Sequence, residues 1–131
     1  MATLFTVDRI QYFFDPAGIV AVSDRDPATG KSVTCVYGLN MNYLNIDEKA
    51  GEFLARLAIA EKFGQLTRTD DSFVWINKSS ILSLRARIWS DAPAANSVVI
   101  ISAIMPITQW VKQTVEEAAA ILGVSGAQQQ V

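Results

Sequence analysis

No histidine occurs in these 131 residues, and only one cysteine does. Without imidazole, the commonest general base and metal ligand is missing. Ser-His-Asp and Cys-His nucleophilic centres are excluded, as are zinc sites built on cysteine and histidine. Cys35 has no second cysteine to bridge to, which makes a reducing, cytoplasmic setting the expectation. Long apolar runs are missing as well. The longest, residues 98–105, is interrupted by Ser102 and falls far short of the ~20 residues a spanning helix needs. No basic segment leads into an apolar one at the start, so neither a signal peptide nor membrane association is expected. Charged residues make up only 18% of the chain, and the net charge is −2. That balance argues against a generally basic nucleic-acid binder and leaves room for a local basic face. Residues 62–87 supply the material for one: five basic side chains against two acidic.

Half of the residues are hydrophobic, and their order reads as short strands closed by a helix, twice over. A chain this long can bury about two-thirds of its unfolded surface and needs no metal or disulfide to fold. In the second half, strands are expected at 65–69, 72–77, 81–89, 97–105 and 107–111. Thr114-Val115-Glu116-Glu117 fits a capping box; Val115, Ala118, Ala119 and Leu122 form a helical stripe, and Gly123 closes it. In the first half, strands are expected at 4–7, 10–14, 19–23, 32–39 and 43–46. Asp47 is expected to cap a helix whose apolar face is Ala50, Phe53, Leu54, Leu57 and Ala58, with Gly64 ending it. Asp15-Pro16-Ala17-Gly18 and Lys78-Ser79-Ser80 are turns, and Asp8-Arg9 and Asn40-Met41-Asn42 are two more.

The halves align. At an offset of 62 residues Leu4 matches Leu66, Asp8 matches Asp70, Phe14 matches Ile76 and Ile19 matches Ile81. Beyond a longer loop the offset becomes 65, and Val33 matches Val98, Ile46 matches Val111 and Leu57 matches Leu122. The expected architecture is α+β: an internal duplication of a ββββα unit, with two antiparallel sheets related by pseudo-two-fold symmetry, each covered by one helix. A single domain, residues 1–123, holds both repeats (3–63 and 65–123), and residues 124–131 form a flexible, Gln-rich tail.

Leu66-Thr67-Arg68-Thr69-Asp70-Asp71-Ser72-Phe73-Val74-Trp75-Ile76-Asn77, followed by Ile81-Leu82-Ser83-Leu84-Arg85, resembles the small flagellar FlbD family. The tandem ββββα plan resembles the Whirly and Pur-alpha folds, in topology only. Those families bind single-stranded nucleic acid on a curved sheet, so the resemblance implies such a ligand. Neither family's signature motif is present, and no binding residue is carried over.

The bottom-up candidates for chemistry are few. Ala28-Thr29-Gly30-Lys31-Ser32 mimics the end of a phosphate-binding loop. Arg25 stands where the motif needs Gly, however, and a strand follows where it needs a helix, so a hairpin turn is the reading. Asp15, Asp24 and Asp26 read as a solvated loop rather than a metal cluster, and Cys35 as a small buried hydrophobe. Strand alternation puts Leu82, Leu84, Ala86 and Ile88 on one face as core. Ser83, Arg85, Arg87 and Trp89 then form a basic and aromatic row on the other. Phe73 and Trp75 on the neighbouring strand, with Lys78 in the turn, would complete the cation-and-ring composition that single-stranded nucleic acid needs. An interface role for the aromatics outweighs it, with the arginines paired to Asp70, Asp71 or Asp91. The matching face of the first half (Ile19, Ala21, Ser23) carries no basic residue. Residues 97–105 are apolar on both faces and so must be covered on both, by the other repeat or by a second subunit; the second cover would put Val99, Ile101 and Trp110 at an oligomer interface.

The expectation is a small, non-enzymatic binding or assembly protein that uses a sheet face for self-association, as a homo-oligomer, or for a partner protein. No cofactor and no metal is expected. The alternative is a single-stranded DNA- or RNA-binding, transcription-associated regulator acting through the Arg85, Arg87 and Trp89 face.

Overall fold

Two side chains organise the path of the chain. Asp15 Oδ1 accepts from the Ala17 amide at 3.0 Å and caps a 3₁₀ turn at Pro16–Gly18. Asn77 Oδ1 accepts from the Ser79 amide at 3.0 Å and caps another at Lys78–Ser80, 62 positions later. Asp and Asn favour such turns because a short side-chain oxygen reaches the amide two residues on. Each turn carries the chain out of one sheet and into another.

The computed structural model describes residues 3–7, 10–38, 43–103 and 105–124. The turns expected at 8–9 and 40–42, and the tail from 125, lie outside the described residues. The first half runs β1 (Thr3–Val7), β2 (Ile10–Phe14), β3 (Ala21–Ser23), β4 (Thr34–Tyr37), β5 (Leu44–Ile46) and α1 (Ala50–Arg56). The second runs β6 (Phe63–Thr67), β7 (Phe73–Asn77), β8 (Ile81–Ala86), β9 (Ser97–Ile101), β10 (Ile107–Val111) and α2 (Val115–Leu122). The fold is mixed α+β. A five-stranded antiparallel sheet has the order β5-β4-β3-β7-β6, a three-stranded one the order β10-β9-β8, and β1 pairs with β2. The larger sheet is therefore composite, because β3 of the first half is bonded to β7 of the second. A seam joins the sheets: Arg68 bridges to Val111, and the Lys112 amide donates to the Thr67 carbonyl at 2.8 Å.

The composite sheet is buried on both faces. Val22 and Val36 on one face meet Phe14, Ile19, Ile46 and α1, with Phe53 and Leu54 fully buried among them. Phe14 and Phe53 stack at 6.2 Å between ring centroids. On the other face Ala21, Cys35, Val74 and Ile76 meet Val99, Ile101 and Val111 of the smaller sheet and Ala118 and Leu122 of α2. Each large side chain so buried contributes about 1.5–3 kcal/mol, before the entropy of ordering is set against it.

The helices differ from expectation in one case and agree in the other. Thr114 Oγ1 accepts from the Glu117 amide at 3.1 Å and Glu117 Oε1 accepts from the Thr114 amide at 2.9 Å, the expected capping box. Gly123 closes α2 in the left-handed conformation, φ +69°. In the first half, Asp47 does not cap. Lys49 precedes the helix without a side-chain cap bond. The helix stops at Arg56, and Ala58 already has φ +58°. Gly64 does not end it but lies in β6, directly beneath α2. A Cβ there would meet Leu122 Cδ2 at 2.8 Å and the Ile121 carbonyl at 3.0 Å. Among the described residues, no helix is long and apolar enough to cross a membrane.

Candidate functional site

The residues expected to share one basic and aromatic face do not share a sheet. Phe73 and Trp75 lie on β7 in the composite sheet, whereas Arg85 lies on β8 in the smaller one. The turn at Lys78–Ser80, where Lys78 is exposed, separates them. Phe73 and Trp75 contact each other at 6.2 Å, but Trp75 packs partly buried against the core beneath α1. The expected continuous row of guanidinium groups and rings is thus divided, because strands adjacent in sequence entered different sheets.

On β8, simple alternation also breaks. The register with β9 shifts between Ile81 and Ser83, a bulge that turns Leu82 outward to 59% exposure. Ile81 and Leu84 keep the core face, while Ile88 and Ala86, expected there, are exposed. On the outer face, Arg85, Val98 and Trp110 stand side by side across the three strands. The 87–96 loop folds over them. Arg85 grips Asp91 with two bonds, Nη1 to Oδ2 at 2.7 Å and Nη2 to Oδ1 at 3.1 Å. Asp91 also accepts from Trp110 Nε1 at 3.3 Å and from the Ile88 amide at 2.8 Å. These donors, Arg85 first, hold the Asp91 carboxyl well below the usual carboxylate range. Val98 is buried under this cluster, so the outer face of β9 is covered from within the chain.

The remaining candidates divide in the same way. Val99 and Ile101 are 0% exposed in the core, covered by the composite sheet and α2, so they are not available to a partner. Trp110 stays exposed beside the Asp91 cluster. Arg87 donates from Nε to the Ala92 carbonyl at 3.1 Å and pairs with no carboxylate among the described residues. Trp89, at the loop tip, is 89% exposed. Along β8 only one edge is bonded, to β9; the other is open among the described residues.

A second site was not foreseen. Between the composite sheet and the segment leading into β10 lies a cleft of about 910 Å³. Tyr37, Tyr43, Arg68, Met105, Ile107 and Trp110 are among the residues lining it. A polar network underlies its wall. Cys35 Sγ donates to Asn45 Oδ1 at 3.1 Å, Asn45 Nδ2 donates to Asp26 Oδ2 at 3.2 Å, and Tyr43 O–H donates to Asp26 Oδ1 at 2.9 Å. Asp26, expected in a solvated loop, is buried, and the Ala28 amide is the main influence lowering its pKa. Cys35 is buried as expected, and burial pushes its thiol up to about 11, which leaves it un-ionised and unreactive at neutral pH. Tyr37 and Tyr43 contact each other at 5.6 Å. Only tertiary contact brings these groups together; the signal in the sequence was the clustering of Tyr37, Tyr43 and Asn45 around one turn.

No protein-family model, no curated protein and no solved structure matches the chain.

Proposed function

We propose that the chain is an internally duplicated, non-enzymatic assembly protein that self-associates through the open edge of β8 and the apolar surface around it. The observation that carries this reading is the edge itself. A six-residue strand presents unpaired amide and carbonyl groups, and such an edge is a template for another strand. Leu82 stands on that strand, and Ile88 and Trp89 follow it, all exposed. Antiparallel pairing of β8 with β8 of a second copy, about a two-fold axis, would join two three-stranded sheets into one. The duplication is supported by the matching element order of the halves and by the two side-chain-capped 3₁₀ turns set 62 positions apart. A reducing, cytoplasmic setting suits the un-ionised Cys35.

Light scattering tests the reading. The expected result is a dimer, converted to monomer by Leu82→Lys with unchanged circular dichroism, since a charge on an edge blocks pairing. A wild-type monomer at about 100 μM would rule out a specific dimer of useful affinity.

Arg87 beside the exposed Trp89 supports a second reading, binding of single-stranded nucleic acid, which the Whirly and Pur-alpha resemblance also suggests. Arg85 contributes little to it, because Asp91 already neutralises its charge. Titration with a labelled oligonucleotide decides it. Binding that weakens with salt and is lost in Arg87→Ala supports this reading; salt-independent binding sinks it.

A further inference from the structure

We propose that the β8 edge has a second partner inside the chain: β2 of the same copy closes onto it and, while closed, holds the protein back from self-association. This regulates the contact proposed above, and it rests on that reading and on the duplication. Three observations converge. First, β2 and β8 meet at one corner. The Asn77 amide donates to the Val20 carbonyl at 2.9 Å, and Asn77 Nδ2 donates to the Ile19 carbonyl at 2.9 Å. The capped turn that follows β2 therefore lies beside the capped turn that precedes β8. β2 runs into this corner and β8 runs out of it, so a ladder between them is antiparallel. Second, each strand has an edge to give. Among the described residues β2 is bonded to β1 alone and β8 to β9 alone. Third, the corresponding contacts are already made. Under the duplication, β3 with β7 answers to β8 with β2, and β6 with β10 answers to β1 with β5. β3 pairs with β7, Arg68 after β6 bridges to Val111 of β10, and β1 comes beside β5. The contact of β2 with β8 completes the set.

The duplication also sets the register. β3 and β7 pair Ala21 with Ile76, Val22 with Trp75 and Ser23 with Val74. Moving β3 up and β7 down by the 62-residue offset pairs Ser83 with Phe14, Leu84 with Phe13 and Arg85 with Tyr12. Leu84 suits its place. It packs in the core beneath α2, as Val22 and Trp75 pack in the core beneath α1. Two strands held at one corner meet at an effective concentration on the order of millimolar, so β2 competes with a second copy present at less. The bulge at Leu82 interrupts any ladder on this edge and leaves its partner exchangeable.

A disulfide at that register tests the closure. In a Cys35→Ala background, Phe13→Cys with Leu84→Cys should form an intrachain bond under mild oxidation. The control, Gln11→Cys with Leu84→Cys, is displaced about 7 Å along the strand and should not. Light scattering on the oxidised protein should give a monomer at a concentration where the reduced protein is a dimer, and reduction should restore the dimer. Tyr12→Pro tests the same point without cysteines. It breaks β2, frees the β8 edge and should tighten dimerisation at least about twofold, because the competent fraction rises. No intrachain bond, an equal yield in the control, a bond between two copies, an oxidised protein that still dimerises, or unchanged dimerisation in Tyr12→Pro would each overturn the proposal. Its failure is separate from failure of the self-association reading. A protein that dimerises without forming the intrachain bond sinks the closure alone. A wild type still monomeric at about 100 μM that forms the bond sinks self-association and leaves β2 on β8.

Discussion

Strand β3 is hydrogen-bonded along both edges, to β4 and to β7, and all three of its residues are buried. Strand β8, which lies about 60 positions further along the chain, is bonded along one edge among the described residues and largely exposed. An exact two-fold between the halves would place β2 beside β8 as β7 lies beside β3; among the described residues β2 is paired with β1 alone. The residues differ accordingly. Where β3 has Ala21 and Ser23, β8 has Ser83 and Arg85, together with a bulge. A charge and a bulge ordinarily guard an edge strand against pairing; on β8 Asp91 neutralises the charge, and the bulge at Leu82 is what a second copy's strand would have to accommodate. The basic residue that sets the second half apart is thus explained first by its place at the rim of a sheet, where Asp91 answers it, and only second by any ligand.

The helix seats show a parallel contrast, and it yields the largest expected effect. Phe53 of α1 and Ala118 of α2, both fully buried, stand 65 positions apart. Phe53 fills its seat with a ring stacked on Phe14; α2 instead comes down close over Gly64. Phe53→Ala should cost about 3–5 kcal/mol by urea denaturation, because it removes a fully buried ring and leaves a cavity beside Phe14. If the loss is below about 1 kcal/mol, the first half does not depend on this aromatic pair.

Next in size is the acid limb of stability. Arg85 holds the Asp91 carboxyl below its ordinary value of 3.8. A carboxyl depressed in the folded state adds stability above its unfolded pKa and loses that contribution as pH falls toward the folded one. The protein should therefore weaken below about pH 4, and Asp91→Asn should flatten that slope. Urea midpoints at about pH 5 and about pH 3 measure it; parallel curves for the two proteins would refute the linkage. The matching loop of the first half carries a depressed carboxyl of its own, Asp26, lowered chiefly by the Ala28 amide rather than by an arginine, so Asp91→Asn should flatten the slope without abolishing it.

The smallest effects are at the helix ends. Thr114→Ala removes the capping box of α2 and should lower stability by about 1 kcal/mol. At α1, which has no side-chain cap, Ala58→Gly relieves a left-handed alanine, and its gain should be below about 1 kcal/mol. Thermal melts resolve both. A stabilising Thr114→Ala would mean that α2 does not rely on its cap.

Much of the secondary structure was legible in the sequence, because its signals are local. Turn residues such as Asp15-Pro16 and Asn77-Lys78, and the Thr114–Glu117 spacing, declare themselves within a few positions. Strand ends were less legible: residues 97–105 read as one strand, but β9 stops at Ile101, where the Ser102 amide turns to the Ser80 carbonyl. The sheet order was not legible. A period of two tells a strand which face is apolar, not which strand is its neighbour, so nothing local separates β7 from β8 or joins β7 to β3. Gly64 was misread for a related reason: its lack of a side chain serves a helix more than 50 residues downstream. The cleft was hidden most completely. Tyr37, Arg68 and Ile107 belong to three separate stretches, and their convergence exists only after the sheets meet.

The bond between β3 and β7 also has a consequence for synthesis. Ser23 waits for Val74, about 50 residues downstream, which a ribosome adds in roughly 3–10 s at ordinary elongation rates. For that interval the emerging first half offers a central strand with one edge unbonded, and it completes its sheet only when the second half leaves the exit tunnel. A fragment ending after α1 should therefore clump or stay unfolded, however well its own strands are written.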